Sequence, residues 1–163
     1  MTAPPGYFKA DDVRAMESIA GRYPMKASAI MPLLHFIQGK KKSLAEEDLV
    51  FVADLLEVPH VRAFEVATYY TMFFTEPMGR HLVQICRSMS CSINGSDEVL
   101  EALEKELGIK VGQTTPDNAF SLVEVECIGA CDQAPALMVD ADLYRQVSAD
   151  GVGSILESYR QKA

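Results

Sequence analysis

His81-Leu-Val-Gln-Ile-Cys86-Arg-Ser-Met-Ser-Cys91 reads as a short apolar strand that delivers one cysteine at its end and a second soon after. The turn signals Pro77-Met-Gly79 stand just before it, so the strand starts fresh after a break. Phe120-Ser-Leu-Val-Glu-Val-Glu-Cys127-Ile-Gly-Ala-Cys131 repeats the plan. These four cysteines are all that the 163-residue chain contains. Four residues separate the first pair, three the second, and thirty-five lie between the pairs. Both pairs begin where a strand gives way to a loop. If the two strands are neighbours, both loops meet at one edge of a sheet.

Working outward, Ser96 is expected to cap a helix whose first turn holds Asp97 and Glu98, matching the helix dipole. Val99, Leu100, Leu103 and Leu107 form its apolar face, and Gly108 stops it. Ala136-Leu-Met-Val139 is a third strand and Leu143 to Val147 a fourth; Ser148 caps a last helix through Val152, Ile155, Leu156 and Tyr159. The order β-α-β-β-α predicts a small mixed sheet covered by helices.

The first half has the helical period instead. Val13, Met16, Ala20 and Tyr23 recur at helical spacing. A second helix is expected over Ser28 to Gln38, with Pro32 in its first turn and Gly39 ending it. Ser43-Leu-Ala-Glu46 reads as a capping box for a third helix. Pro59 opens a fourth, with Val61, Phe64 and Thr68 on one side. The aromatic run Ala67 to Phe74 reads first as core filling, with a partner-facing surface as the alternative. The fold class is therefore α+β: a helical bundle over 1–78, then a domain with a small mixed sheet over 79–163.

Composition removes several function classes. At 48% hydrophobic residues the chain can bury a real core. The formal charge of −8 argues against nucleic acid as a partner. The lone basic run, Lys40-Lys41-Lys42, reads as a solvated loop. Gly151-Val-Gly153 lacks a third glycine at the required spacing, so no dinucleotide fingerprint is present. No stretch approaches the length of a membrane span. The stretch Met1 to Tyr7 has neither the basic start nor the apolar run of a signal peptide. A cytoplasmic chain is expected, where paired thiols bind metal or do redox chemistry more often than they form disulfides. No hydrolase elbow or zinc-protease motif appears.

Four thiolates suit a [2Fe–2S] cluster, two per iron. Gly95, Gly129, Ser88, Ser90, Ser92 and Ala130 let backbone come close, while Met89, Ile93, Ile128 and Pro135 are candidates for an apolar rim. Such a centre carries a charge of about −2, and about −3 when reduced. An acidic chain resists that extra charge and points to a low potential, on the scale of plant-type ferredoxins at about −400 mV. A structural zinc site is the main rival, although zinc knuckles usually keep two residues between paired ligands. Dithiol redox and disulfides follow it. His35, His60 and His81 have no cysteine at ligand spacing and read as structural or exposed.

Val66-Ala-Thr-Tyr-Tyr-Thr-Met-Phe73, Gly79-Arg80, Gln84-Ile-Cys86, Ser90-Cys91 and Glu126-Cys-Ile-Gly-Ala-Cys131 with Ala134-Pro135 closely resemble the small flavoprotein-module subunit family of NADH–quinone oxidoreductase, respiratory complex I. The resemblance runs over about residues 10–160 and rests on several motifs in the same order and spacing. It implies a thioredoxin-like [2Fe–2S] ferredoxin domain behind a helical bundle. It also implies one cluster per chain, with Cys86, Cys91, Cys127 and Cys131 as iron ligands. FMN and NADH are then expected on a larger partner subunit, with this chain peripheral to the inner membrane through the complex and not inserted in it. Related chains serve NAD-dependent hydrogenases, formate dehydrogenases and electron-bifurcating complexes. The aromatic segment 69–74 becomes part core, part interface.

Overall fold

The computed structural model describes residues 4–161 and separates two compact units, Met1–Pro77 and Met78–Ala163. In the first, four helices pack together: α1 (Ala10–Ala20), α2 (Ile30–Lys41), α3 (Glu46–Leu55) and α4 (His60–Tyr69). Met16, Leu33, Leu34, Ile37, Leu44, Leu49, Val52 and Leu56 fill the core and are essentially without solvent contact. At roughly 25 cal/mol per Å² of apolar surface, each large side chain of this kind contributes about 2 kcal/mol before the cost of ordering it.

Two of the expected helix boundaries shift for an identifiable physical reason. Gly39 does not end α2; the helix runs on to Lys41 and stops at Lys42, which takes the left-handed conformation at φ 69°. The extra turn is anchored by charge. Lys40 Nζ lies 2.7 Å from Asp12 and Lys41 Nζ 2.8 Å from Asp48. Lys41 also stands over the ring of Tyr7. Two of the three lysines are therefore ties between helices, not a solvated loop. Asp48 is wholly buried and accepts from Lys41, from the Tyr7 hydroxyl and from the Ala45 N–H at 2.8 Å.

That last bond overturns the expected capping box. The cap residue is Ala45, and Asp48, not Glu46, supplies the carboxylate that reaches back. Leu44 explains the shift. It is buried, and its N–H donates to Phe74 O at 2.7 Å, so the chain is committed to a non-helical path until Ala45. In α4 the buried positions are Ala63 and Ala67; Val61 and Thr68 face solvent. Small residues let α4 lie close against α2 and α3.

The second unit holds a four-stranded sheet in the order β2-β1-β3-β4, from β1 (His81–Cys86), β2 (Phe120–Val125), β3 (Leu137–Val139) and β4 (Asp142–Tyr144). β1 and β2 are parallel and in register from His81↔Phe120 to Cys86↔Val125. β3 and β4 add as antiparallel ribbons. The parallel pair needs a crossover, supplied by α5 (Met89–Ile93) and α6 (Ser96–Leu107); α7 (Val152–Arg160) follows the sheet. Val83, Ile85, Leu122, Leu137 and Val139 pack with Leu103 and Leu156 in a closed core.

Here too the boundaries shift. α5, only five residues long, has no periodic signature and falls where the sequence reads as loop. Ser96 is not a cap but the buried first residue of α6; Gly95, at φ 94°, turns the chain from α5 straight into α6. β2 stops at Val125, two residues short of Cys127, and β4 ends before Gln146, which takes φ 50°. A cis peptide joins Ala134 to Pro135. No helix among the described residues is long and apolar enough to cross a membrane.

Candidate metal centre

The sheet brings the two cysteine pairs together. Cys86 is the last residue of β1, and its N–H donates to Ala136 O at 3.1 Å. Cys91 follows in α5; both cysteines are buried, with Ala130 and Ala136 beside them and Ile128, Ala134 and Leu143 packed around. Cys127 lies in the loop after β2, and Cys131 opens a short 3-10 turn to Gln133. These two are exposed, with their sulfurs 3.4 Å apart. The site thus has a buried half and an open half.

The halves face one another. The Ser90 hydroxyl in α5 donates to Cys131 O at 2.9 Å. The thiols of Cys86 and Cys91 are hydrogen-bonded, and Cys131 lies within the electrostatic reach of both Cys86 and Cys127. Their acidities follow from this crowding. Burial opposes ionisation of Cys86, but the N–H groups of Ile128 and Ser88, helped by Cys91 and the Ser88 side chain, outweigh it and hold this thiol below its ordinary value. Burial pushes Cys91 up, the Ala136 N–H offsets only part of this, and the neighbouring Cys86 and Cys131 add to it. Cys131 is raised by its hydrogen bond to Cys127 and by the charge there. Like charges this close repel one another, which is part of what raises Cys91 and Cys131.

The donor set suits an iron–sulfur group. It is all sulfur, which selects soft or borderline metals. Backbone N–H donors already point at Cys86 and Cys91, the kind of contact that tunes cluster sulfurs. Gly129, between the exposed cysteines in sequence, takes φ 89°, a conformation that favours glycine. Among the described residues no group of three or more His, Cys, Asp or Glu is set to hold a metal ion; the four thiols stand as two pairs.

Of the expected rim, Ile128 packs against the buried cysteines, whereas Met89 and Ile93 stand in solvent, each 78% exposed. The histidines lie elsewhere: His60 meets Asp54, His81 meets Asp140 and His35 packs at a tilt against the Phe73 ring. The donors Ser88, Ile128 and Ala136 have no signal in the sequence as donors, since any non-proline residue offers an N–H.

The family model for thioredoxin-like [2Fe–2S] ferredoxins matches residues 16–160. The chain belongs to this family. An NADH-quinone oxidoreductase subunit of Rhizobium meliloti (strain 1021) is 45% identical to it over 145 residues, covering 89% of this chain and 86% of the relative. The corresponding NADH-quinone oxidoreductase subunit of Rickettsia conorii (strain ATCC VR-613 / Malish 7) is 38% identical over 153 residues, covering 92% of each. Within the thioredoxin-like ferredoxins, these relatives place the chain among the subunits of NADH-quinone oxidoreductase. The cofactor that goes with the family is a [2Fe–2S] cluster. The fold also recurs within an NAD⁺-reducing [NiFe]-hydrogenase in the H₂-reduced state, at a TM-score of 0.73 and 20% identity. That match covers 84% of this chain and 23% of the hydrogenase chain, so it speaks for the fold alone.

Proposed function

We propose that Cys86, Cys91, Cys127 and Cys131 hold one [2Fe–2S] cluster and that the chain carries electrons within an NADH:quinone oxidoreductase, beside a larger subunit that binds FMN and NADH. The observation that carries the ligand assignment is the meeting of four thiols, paired two and two, at the ends of adjacent parallel strands. When bound, such a cluster supplies one-electron storage next to a flavin that exchanges hydride.

The chain's own residues divide the work. Cys86 and Cys91 anchor the buried side, where Ala130, Ala136 and Leu143 exclude water. The N–H groups of Ser88, Ile128 and Ala136 stabilise thiolate charge there. Cys127 and Cys131 hold the open side, which is where a partner's redox group has its approach. The chain has no nucleotide fingerprint of its own, so the hydride chemistry falls to the partner. In the helical unit, Tyr69, Tyr70, Val66 and Arg62 line a groove of about 630 Å³. Tyr69 is 78% exposed, and Met72 lies exposed further on. Exposed Tyr, Met and Arg together are the composition of a protein contact, and this face is assigned to the larger subunit. The chain reaches the membrane only through that assembly.

Protein purified without oxygen is expected to be brown, with about two iron and two sulfide per chain, and to give an EPR signal after dithionite. Colourless protein holding one zinc would overturn the assignment. The same subunit design serves an NAD-dependent hydrogenase, a formate dehydrogenase or an electron-bifurcating complex; the chains that co-purify with it decide between these and the respiratory enzyme.

A further inference from the structure

Arg87 and Glu126 sit immediately after the first cysteine and immediately before the third. β1 and β2 end together at Cys86↔Val125. One more ladder bond, Arg87 N–H to Val125 O at 3.0 Å, closes the pairing, and further on the loops meet again where the Ser90 hydroxyl donates to Cys131 O, leaving a gap between these two ties. Across that gap Arg87 donates through Nε at 3.0 Å and Nη2 at 2.8 Å to the same oxygen of Glu126. Both side chains are exposed, at 58% and 71%. An exposed pair of this kind adds little to folding. Its location is what matters, because it ties the backbone beside one cysteine loop to the backbone beside the other.

The surrounding charge adds to this. Arg87 is the one basic residue in the segments 86–95 and 124–135, which also hold Glu124, Glu126 and Asp132. Without Arg87, three carboxylates would flank a centre that is itself anionic.

We propose that Arg87 and Glu126 form a strap across the mouth of the metal centre, which makes them positioning residues that hold the two cysteine loops at cluster spacing and slow loss of the iron. This rests on the four-cysteine assignment above. Arg87 touches no cysteine thiol through this contact; it acts through Glu126 and the loop that Glu126 begins.

The test uses the full chain, loaded with its cluster without oxygen and followed by visible absorbance under excess iron chelator. Arg87→Gln and Glu126→Gln are each expected to bleach about two- to fivefold faster than the parent, the range of an exposed ion pair. The exchanged double variant, Arg87→Glu with Glu126→Arg, is expected to return to the parent rate. Added salt is expected to hasten loss from the parent but not from the single variants, because it screens only an intact pair. The metal-free proteins are all expected to unfold at one urea midpoint. A single variant that loads too little cluster to follow, with an unchanged metal-free midpoint and recovery in the exchange, reads the same way. Single variants that bleach at the parent rate would overturn the strap. So would an exchange no slower than the singles, or metal-free midpoints that fall in step with bleaching. A parent that takes up no iron removes the cluster assignment and the strap with it; a parent that loads, with variants that behave like it, removes the strap alone.

Discussion

Cys127 and Gly79 show two different ways in which one residue decides this molecule. Cys127 lies on the open half of the proposed metal centre, 3.4 Å from Cys131. Cys127→Ser replaces a thiolate with a poor iron ligand, and the variant is expected to lose most of its cluster absorbance while keeping the far-ultraviolet signature of the fold. A full-strength cluster signal would remove Cys127 from the ligand set. Gly79 acts by having no side chain. It is buried, its N–H donates to Ser121 Oγ at 2.7 Å, and a Cβ there would come within 2.8 Å of the Phe120 carbonyl carbon. Backbone has nowhere to retreat, so Gly79→Ala should destabilise the second unit by about 1–3 kcal/mol, read as a lower urea midpoint. The cysteines are legible in the sequence because thiols are few and their spacing is chemistry. The N–H groups aimed at Cys86 are not, because they belong to positions and not to residue types.

At the scale of elements, periodicity finds the α2 and α6 helices and the β1 strand, and it fails where a boundary depends on a distant contact. Nothing near Ser43 announces that Leu44 is held by Phe74 O, or that Asp48 will serve the cap, Lys41 and Tyr7 together. That triple role makes Asp48 the joint between α2, α3 and the segment before α1. Asp48→Ala leaves the Ala45 N–H and two side-chain groups without their acceptor, and about 2–3 kcal/mol should be lost. Asp48→Asn should recover part of this, since it keeps an acceptor for the N–H. Denaturant titration of both variants checks the order. α5 escapes for a different reason: one helical turn is too short to show a period, and its neighbour Gly95 carries the turn that shapes it.

Across the whole molecule, several carboxylates titrate below their ordinary values of 3.8 for Asp and 4.5 for Glu. Asp12 is lowered by its bond to Lys40, Glu57 by Lys26, Glu104 by Lys110, and Asp117 by the Thr115 hydroxyl and the Ala119 N–H. Because the folded values are depressed, the unfolded chain takes up protons first on acidification. These contacts therefore contribute in full above the ordinary values and fade as pH falls through the folded ones. Urea midpoints are expected to decline below about pH 4.5, and Glu104→Gln should soften that decline slightly. Each contact lies at or near the surface and is individually weak; their number makes the trend measurable.

The unequal exposure of the four sulfurs also sets how the protein must be handled. In metal-free protein, Cys127 and Cys131 need to close by only about 1.4 Å to reach disulfide length, and they face solvent, whereas Cys86 and Cys91 are shielded. Peroxide or disulfide reagents will therefore find the open pair first. Metal-free chain left in air should lose two titratable thiols before four, and with them its capacity to take up iron and sulfide, until a dithiol reductant restores both.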